Sequence, residues 1–111
     1  MPLLSVSTSI EIKEKKLFLE NCSRLVSKLT KKPEQYVMVR LFDETPMLFN
    51  GHESPSCFID FKSIGSLNPS EMSKEISSFI SNHIGIPSNR VYINFEDVHA
   101  SNWAWNGRTF G

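Results

Sequence analysis

The chain has only two cysteines, Cys22 and Cys57, in 111 residues. They do not form a CxxC, and two are too few for a disulfide framework. Free buried thiols are the expected state. Glycine is scarce, at five residues, and no GxGxxG or Walker loop, no GxSxG elbow and no HExxH motif is present. His52, His83 and His99 fall without metal-ligand spacing, so no metal site is signalled. No apolar run reaches the length of a membrane span. No basic segment followed by an apolar core marks a secretory signal, so the cytosol is the expected compartment. An excess of one charge is missing too. Twelve basic residues balance twelve acidic ones, for a net charge of zero. That balance supplies no global field for nucleic acid or an anionic membrane. The lysine-rich stretches KEKK and KLTKK read as a solvated helix face and a helix end.

What remains is an ordinary soluble mix, 40% hydrophobic and 22% charged. It is read as one domain, residues 1–111, long enough for a real core. The chain repeats itself once. KPEQYVMVRLFD (Lys32 to Asp43) aligns without a gap on IPSNRVYINFED (Ile86 to Asp97). Pro33 falls on Pro87, Val37 on Val91, Val39 on Ile93, Leu41 on Phe95 and Asp43 on Asp97. A helical pattern precedes each copy, and a strand pattern precedes each helix. The unit is β-α-β used twice, in halves of about 1–54 and 55–111. Two copies are too few for a solenoid, and an α/β (α+β) sandwich with a pseudo-twofold accommodates them.

The first helix is expected from about Lys13 to Thr30, with Phe18, Cys22, Leu25 and Leu29 as its apolar stripe. Glu11 and Glu14 near its start, and Lys28, Lys31 and Lys32 near its end, suit the helix dipole. The second opens on NPSE, with Asn68 as N-cap, Pro69 at the first helical position and Glu71 three residues after the cap. Met72, Ile76, Phe79, Ile80 and His83 share one face, and Gly85 with Pro87 ends it. His83 reads as a partly buried or last-turn residue. Four strands are expected at PLLSVST, YVMVRLF, SCFIDFKSI and RVYINFE. TPMLFNG adds a short extended piece. The tail NWAWNGRTFG reads as a hairpin turning at Asn106-Gly107. Two helices cover one face of a four-stranded mixed sheet. The other face, with Ser5, Ser7, Met38, Arg40, Asp60, Tyr92 and Asn94, is left for solvent or other subunits.

The stretches MPLLSVSTS, KKPEQYVMVRL, PMLFNG, KSIGSLNP, RVYINFED and NWAWNGRTFG run through the whole chain in order. Together they resemble macrophage migration inhibitory factor and its homologues in the tautomerase superfamily. The resemblance implies a homotrimer whose sheets surround a channel, with the piece at Met47 to Phe49 and the C-terminal hairpin extending neighbouring sheets. It also implies removal of Met1, which leaves Pro2 as a secondary amine at a strand end. An ordinary α-amino group titrates near ~8. Burial and nearby positive charge lower that value, so Pro2 becomes a general base at neutral pH.

Carried over position by position, Pro2 is the catalytic base and Lys32 the binder of the substrate carboxylate. Ile64, with Ser63, supplies a backbone amide to the substrate. Tyr92 and Asn94 reach a neighbouring subunit's pocket, and Tyr36, Trp105 and Phe110 form the rim. The implied activity is an isomerase of the phenylpyruvate tautomerase or dopachrome isomerase type, acting on a small α-keto acid or quinone-type substrate without metal or cofactor. The resemblance also carries a rival reading. The chain would then be a cytokine-like ligand for a cell-surface receptor, exported without a signal peptide, its pocket vestigial. Three departures stand out. SCFI has one cysteine where the mammalian cytokine has a CxxC, so no thiol-disulfide activity of that kind is expected. Trp103 and Lys62 replace a smaller aliphatic residue and a histidine at the pocket.

Overall fold

A computed structural model describes residues 1–111. Four strands form one sheet: β1 (Leu3–Thr8), β2 (Met38–Phe42), β3 (Cys57–Ser63) and β4 (Val91–Asp97), in the order β2-β1-β3-β4. β1 pairs parallel with β2, and β3 parallel with β4, while β1 and β3 meet antiparallel at the centre. Each parallel pair is joined through a helix, as the β-α-β repeat requires. The register sorts side chains into rows. Leu41, Val6, Ile59 and Ile93 form a row on the helix-covered face. On the open face the rows are Met38, Leu3, Lys62, Glu96, then Arg40, Ser5, Asp60, Asn94, then Phe42, Ser7, Phe58, Tyr92.

The helix α1 spans Lys15–Thr30, two residues shorter than expected at its start. Residues 12–14 are tied into a turn instead. The Ile12 N–H donates to Asp43 Oδ2 at 3.0 Å, and Lys15 Nζ donates back to the Ile12 carbonyl at 2.8 Å. The Ile12 amide first, and then Lys15 Nζ at 3.2 Å, hold the Asp43 carboxyl below the usual carboxylate range. The buried stripe of α1 is Phe18, Cys22, Val26 and Thr30, all in steps of four. Leu25 and Leu29, expected on the stripe, flank it half-buried. The helix α2 spans Pro69–Ile84. Asn68 precedes it as expected, but its side chain makes no capping bond; only its carbonyl accepts the Met72 N–H, at 2.9 Å. Gly85, at φ 74°, ends the helix with its N–H on the Ser81 carbonyl. Met72, Ile76 and Ile80 face the sheet, and Phe18 meets Phe79 between the helices at 6.1 Å. His83 is exposed, stacked on Phe79 at 4.0 Å in the last turn. Cys22 and Cys57 are free, and burial pushes each thiol up to about 12. No helix is long and apolar enough to cross a membrane.

The segment after β2 folds back on itself. Phe49 and His52 bridge around Asn50 and Gly51, at φ 55° and 73°, the left-handed pair that a tight primed turn requires. Arg90 holds this segment. Its guanidinium donates to the carbonyls of Phe49 (2.7 Å), His52 (3.1 Å), Ser54 (2.8 Å) and Pro55 (3.3 Å), and to Ser56 Oγ (2.6 Å). A lysine has no such fork. Arg90→Lys is expected to cost about 2 kcal/mol, the worth of one charge-assisted hydrogen bond or more. Thermal unfolding measures the loss. Amide exchange should accelerate over residues 49–56 and stay slow in the core; uniform exchange would place the stabilisation elsewhere.

Candidate active site

The site is built where β1 begins. Pro2 is fully buried, and its carbonyl accepts the Met38 N–H at 3.0 Å. Leu3 and Lys62 form the last antiparallel pair of β1 and β3, so Pro2 and Met1 lead in beside the end of β3. Pro33 leaves the end of α1 in extended conformation and starts a 3-10 turn at Glu34–Tyr36. That turn leaves Lys32 beside the end of β3. Lys32 Nζ donates to the Ile64 carbonyl at 2.8 Å. The Ile64 N–H donates to no group in the chain. The turn after β3 is tied on its other side. The Val98 N–H donates to the Ser63 carbonyl at 2.8 Å, and the Gly65 N–H to Asp97 Oδ1 at 2.9 Å.

The C-terminal segment closes the cleft. Its hairpin pairs β5 (Ala104–Trp105) with β6 (Arg108–Thr109) and turns at Asn106-Gly107, φ 53° and 82°. The Phe110 N–H donates to the Trp103 carbonyl at 3.0 Å, folding both rings toward the start of β1. The cleft measures about 570 Å³. Met1 and Pro2 line it, with Tyr36, Trp103, Trp105 and Phe110 as aromatic walls and Lys62 and Glu96 on the open-face side. A wider cleft of about 680 Å³ lies at the opposite end of the sheet, lined by Phe49, Phe58, Arg90 and Tyr92. Its one charged group, Arg90, already holds the 49–56 segment. The smaller cleft is therefore the one equipped for chemistry. No three His, Cys, Asp or Glu side chains converge on a metal position.

Electrostatics sets the first cleft apart. The Met1 α-amino group is pulled from its ordinary 8.0 to about 6. Burial is the largest cause, followed by the hydrogen bond from Lys32 and then by its charge. The start of the chain is thus a site that favours a neutral amine.

Pro2, Tyr36, Trp105 and Phe110 come together in this cleft, and Lys32 and Ile64 adjoin it. Ser63 is fully buried on the helix-covered side, outside the cleft, and its Oγ has no partner. Tyr92 and Asn94 do not reach the Pro2 cleft of their own chain. Tyr92 packs on Phe49 at 4.6 Å, and Asn94 donates to Asp60 at 3.2 Å. Trp103 and Lys62 line the cleft. Gln35, Glu96 and Asn102 also line it and were not among the expected residues. Glu96 was legible, because strand alternation places it on the same face as Tyr92 and Asn94.

Fold and site together define a class: a pseudo-twofold α/β domain with a partly buried chain-start amine in an aromatic cleft. The sequence profile of macrophage migration inhibitory factor matches residues 1–111, and the chain belongs to that family. A homologue of that factor from Brugia malayi is 35% identical over the full length of both chains. Among solved structures, the homologue from Prochlorococcus marinus superposes with a TM-score of 0.93 at 39% identity, covering 98% of this chain and 99% of that one. The factor from Trichinella spiralis gives 0.89 at 30% identity, covering 97% and 99%.

The cause of the amine shift can be divided by mutation. In the chain that retains Met1, Lys32→Met is expected to raise the titration midpoint of the amine above about 6. It should stay below the ordinary ~8, because burial persists. An NMR titration of the labelled amine reads this, and an unmoved midpoint would remove Lys32 from the site's electrostatics.

Proposed function

We propose that this protein is a keto–enol tautomerase in which Pro2, freed by removal of Met1, is the general base. In the full chain the Pro2 nitrogen is an amide and carries no basicity. Without Met1 it is a secondary amine in the same buried place, beside the same Lys32 ammonium. The observation that carries the reading is the place of Pro2, fully buried in a cleft walled by Tyr36, Trp103, Trp105 and Phe110, where the Met1 amine just before it is already drawn down to about 6. A base neutral near pH 7 suits proton abstraction beside a carbonyl.

The proposed chemistry balances within one substrate. Lys32 Nζ and the free Ile64 N–H hold the carboxylate of an α-keto acid such as phenylpyruvate. Pro2 takes the proton from the carbon next to the carbonyl. The C–H pair becomes the C=C bond, the carbonyl oxygen takes the negative charge, and prolinium returns the proton to that oxygen. The reverse order runs enol to keto. The methyl ester of dopachrome offers the same type of acidic carbon in a quinone setting. No cofactor takes part.

We further propose a homotrimer. The open face of the sheet exposes Met38, Phe42, Phe58 and Tyr92, at 64%, 50%, 43% and 62%. Four large apolar side chains exposed on one mixed face are expected to be covered by a partner. Association would bring Tyr92 and Asn94 of one chain toward the Pro2 cleft of the next. Sedimentation should then report three chains per particle.

Phenylpyruvate turnover on protein of confirmed N-terminal mass tests the base. Chains that keep Met1 should be silent. Pro2→Gly should lower kcat by about 10²-fold or more while the trimer persists. The rate should rise with pH through a midpoint well below ~8, because the base works only when neutral. A silent trimer with a free Pro2 would instead favour the extracellular-ligand reading.

A further inference from the structure

The internal repeat aligns Asp43 with Asp97, and neither carboxylate has been given a role in the chemistry. Both perform the same local task. Each sits at the end of the outer strand of a parallel pair, Asp43 just past β2 and Asp97 last in β4, and accepts an N–H from the loop that follows the inner strand. Asp43 Oδ2 takes the Ile12 N–H at 3.0 Å, after β1. Asp97 Oδ1 takes the Gly65 N–H at 2.9 Å, after β3. In the first half the bond only leads the chain into α1. In the second half the held loop lies beside the start of the chain, since β1 and β3 pair as far as Leu3 and Lys62 and Lys32 links the Ile64 carbonyl to the chain-start amine.

We propose that Asp97 is a positioning residue for this site: by fixing the Gly65 N–H it orients the Ile64–Gly65 peptide, whose carbonyl holds Lys32, next to the Ser63–Ile64 peptide, whose N–H stays free for substrate. Two bonds clamp the loop, the Val98 N–H on the Ser63 carbonyl and the Gly65 N–H on Asp97. Gly65 and Ser66 both adopt left-handed backbone, φ 67° and 60°. A non-glycine residue in that region is disfavoured, so the loop needs its external tie. Releasing the Asp97 bond lets the Ile64 carbonyl turn away from Lys32. Lys32 then loses its anchor, and both its charge and its donor leave the chain-start amine. Asp97 touches neither substrate nor base; it acts through Ile64 and Lys32.

The catalytic meaning of this inference rests on the tautomerase reading, but its first test does not. The chain-start amine is titrated by NMR in wild type, Asp97→Ala and Asp97→Asn. Asp97→Ala should raise the midpoint by about half a unit or more toward the ordinary ~8. Asp97→Asn keeps an oxygen acceptor and should titrate as wild type. In a Lys32→Met background, Asp97→Ala should change nothing further, because the two residues act in one chain of contacts. Asp97 is exposed, so alanine removes little packing; Asp97→Ser, too short to reach Gly65, repeats the test if alanine does not fold. An unmoved midpoint in Asp97→Ala, an equal shift without Lys32, or failure of Asp97→Asn to restore the value would each overturn the proposal. With phenylpyruvate, Asp97→Ala should raise KM several-fold more than it lowers kcat. Wild type that is silent with a free Pro2 would remove the tautomerase reading and leave the titration result standing.

Discussion

The Met38 N–H on the Pro2 carbonyl, at 3.0 Å, fixes the start of the chain inside the sheet. β1 is a central strand, paired on both sides, so its first residue is ordered by β2 and β3 together. A chain terminus usually frays because nothing ties it down. Here Pro2 is buried and Met1 partly so, and that partial burial is the main cause of the lowered basicity of the amine Met1 carries. The sheet topology is thus what turns a chain end into a chemical group with a defined place.

The pseudo-twofold gives the sheet two equivalent ends, but a chain has only one N-terminus. The repeat shows what each end does with equivalent positions. Tyr36 aligns with Arg90 and Lys32 with Ile86. At the Pro2 end Tyr36 walls the cleft and Lys32 reaches the Ile64 carbonyl. At the other end Ile86 is fully buried in the core, and Arg90 is saturated by carbonyls and Ser56. The same scaffold supports an available cation at one end and a structural clamp at the other. The difference lies in side chains, since Pro33 and Pro87 start the same 3-10 turn in both halves.

Local features were legible in the sequence because they depend on local chemistry. Alternation found four strands, proline and glycine bounded α2, and Asn106-Gly107 set the hairpin turn. The errors have physical causes too. The start of α1 was lost to the bond between Ile12 and Asp43, which lie 31 residues apart. Its stripe was read through Leu25 and Leu29, although Val26 lies on the axis of burial. The contact between Lys32 and Ile64 could not be read from periodicity, because it depends on the β1–β3 register and on the turn that follows α1. The resemblance named both residues without saying that one holds the other.

The partner chosen for Lys32 decides whether its charge is useful. No carboxylate forms an ion pair with it. Glu34, two residues on, is turned to accept from Ser23 Oγ at 2.8 Å. Lys62, the other lysine by the cleft, lies 3.8 Å from Asp60, which offsets part of its charge. A carboxylate partner on Lys32 would cancel its field at the amine and compete with an anionic substrate. A backbone carbonyl holds the ammonium in place, leaves its net charge intact and leaves two of its three protons to donate. One hydrogen bond to a neutral acceptor therefore serves position and electrostatics together, in a chain whose total charge is zero.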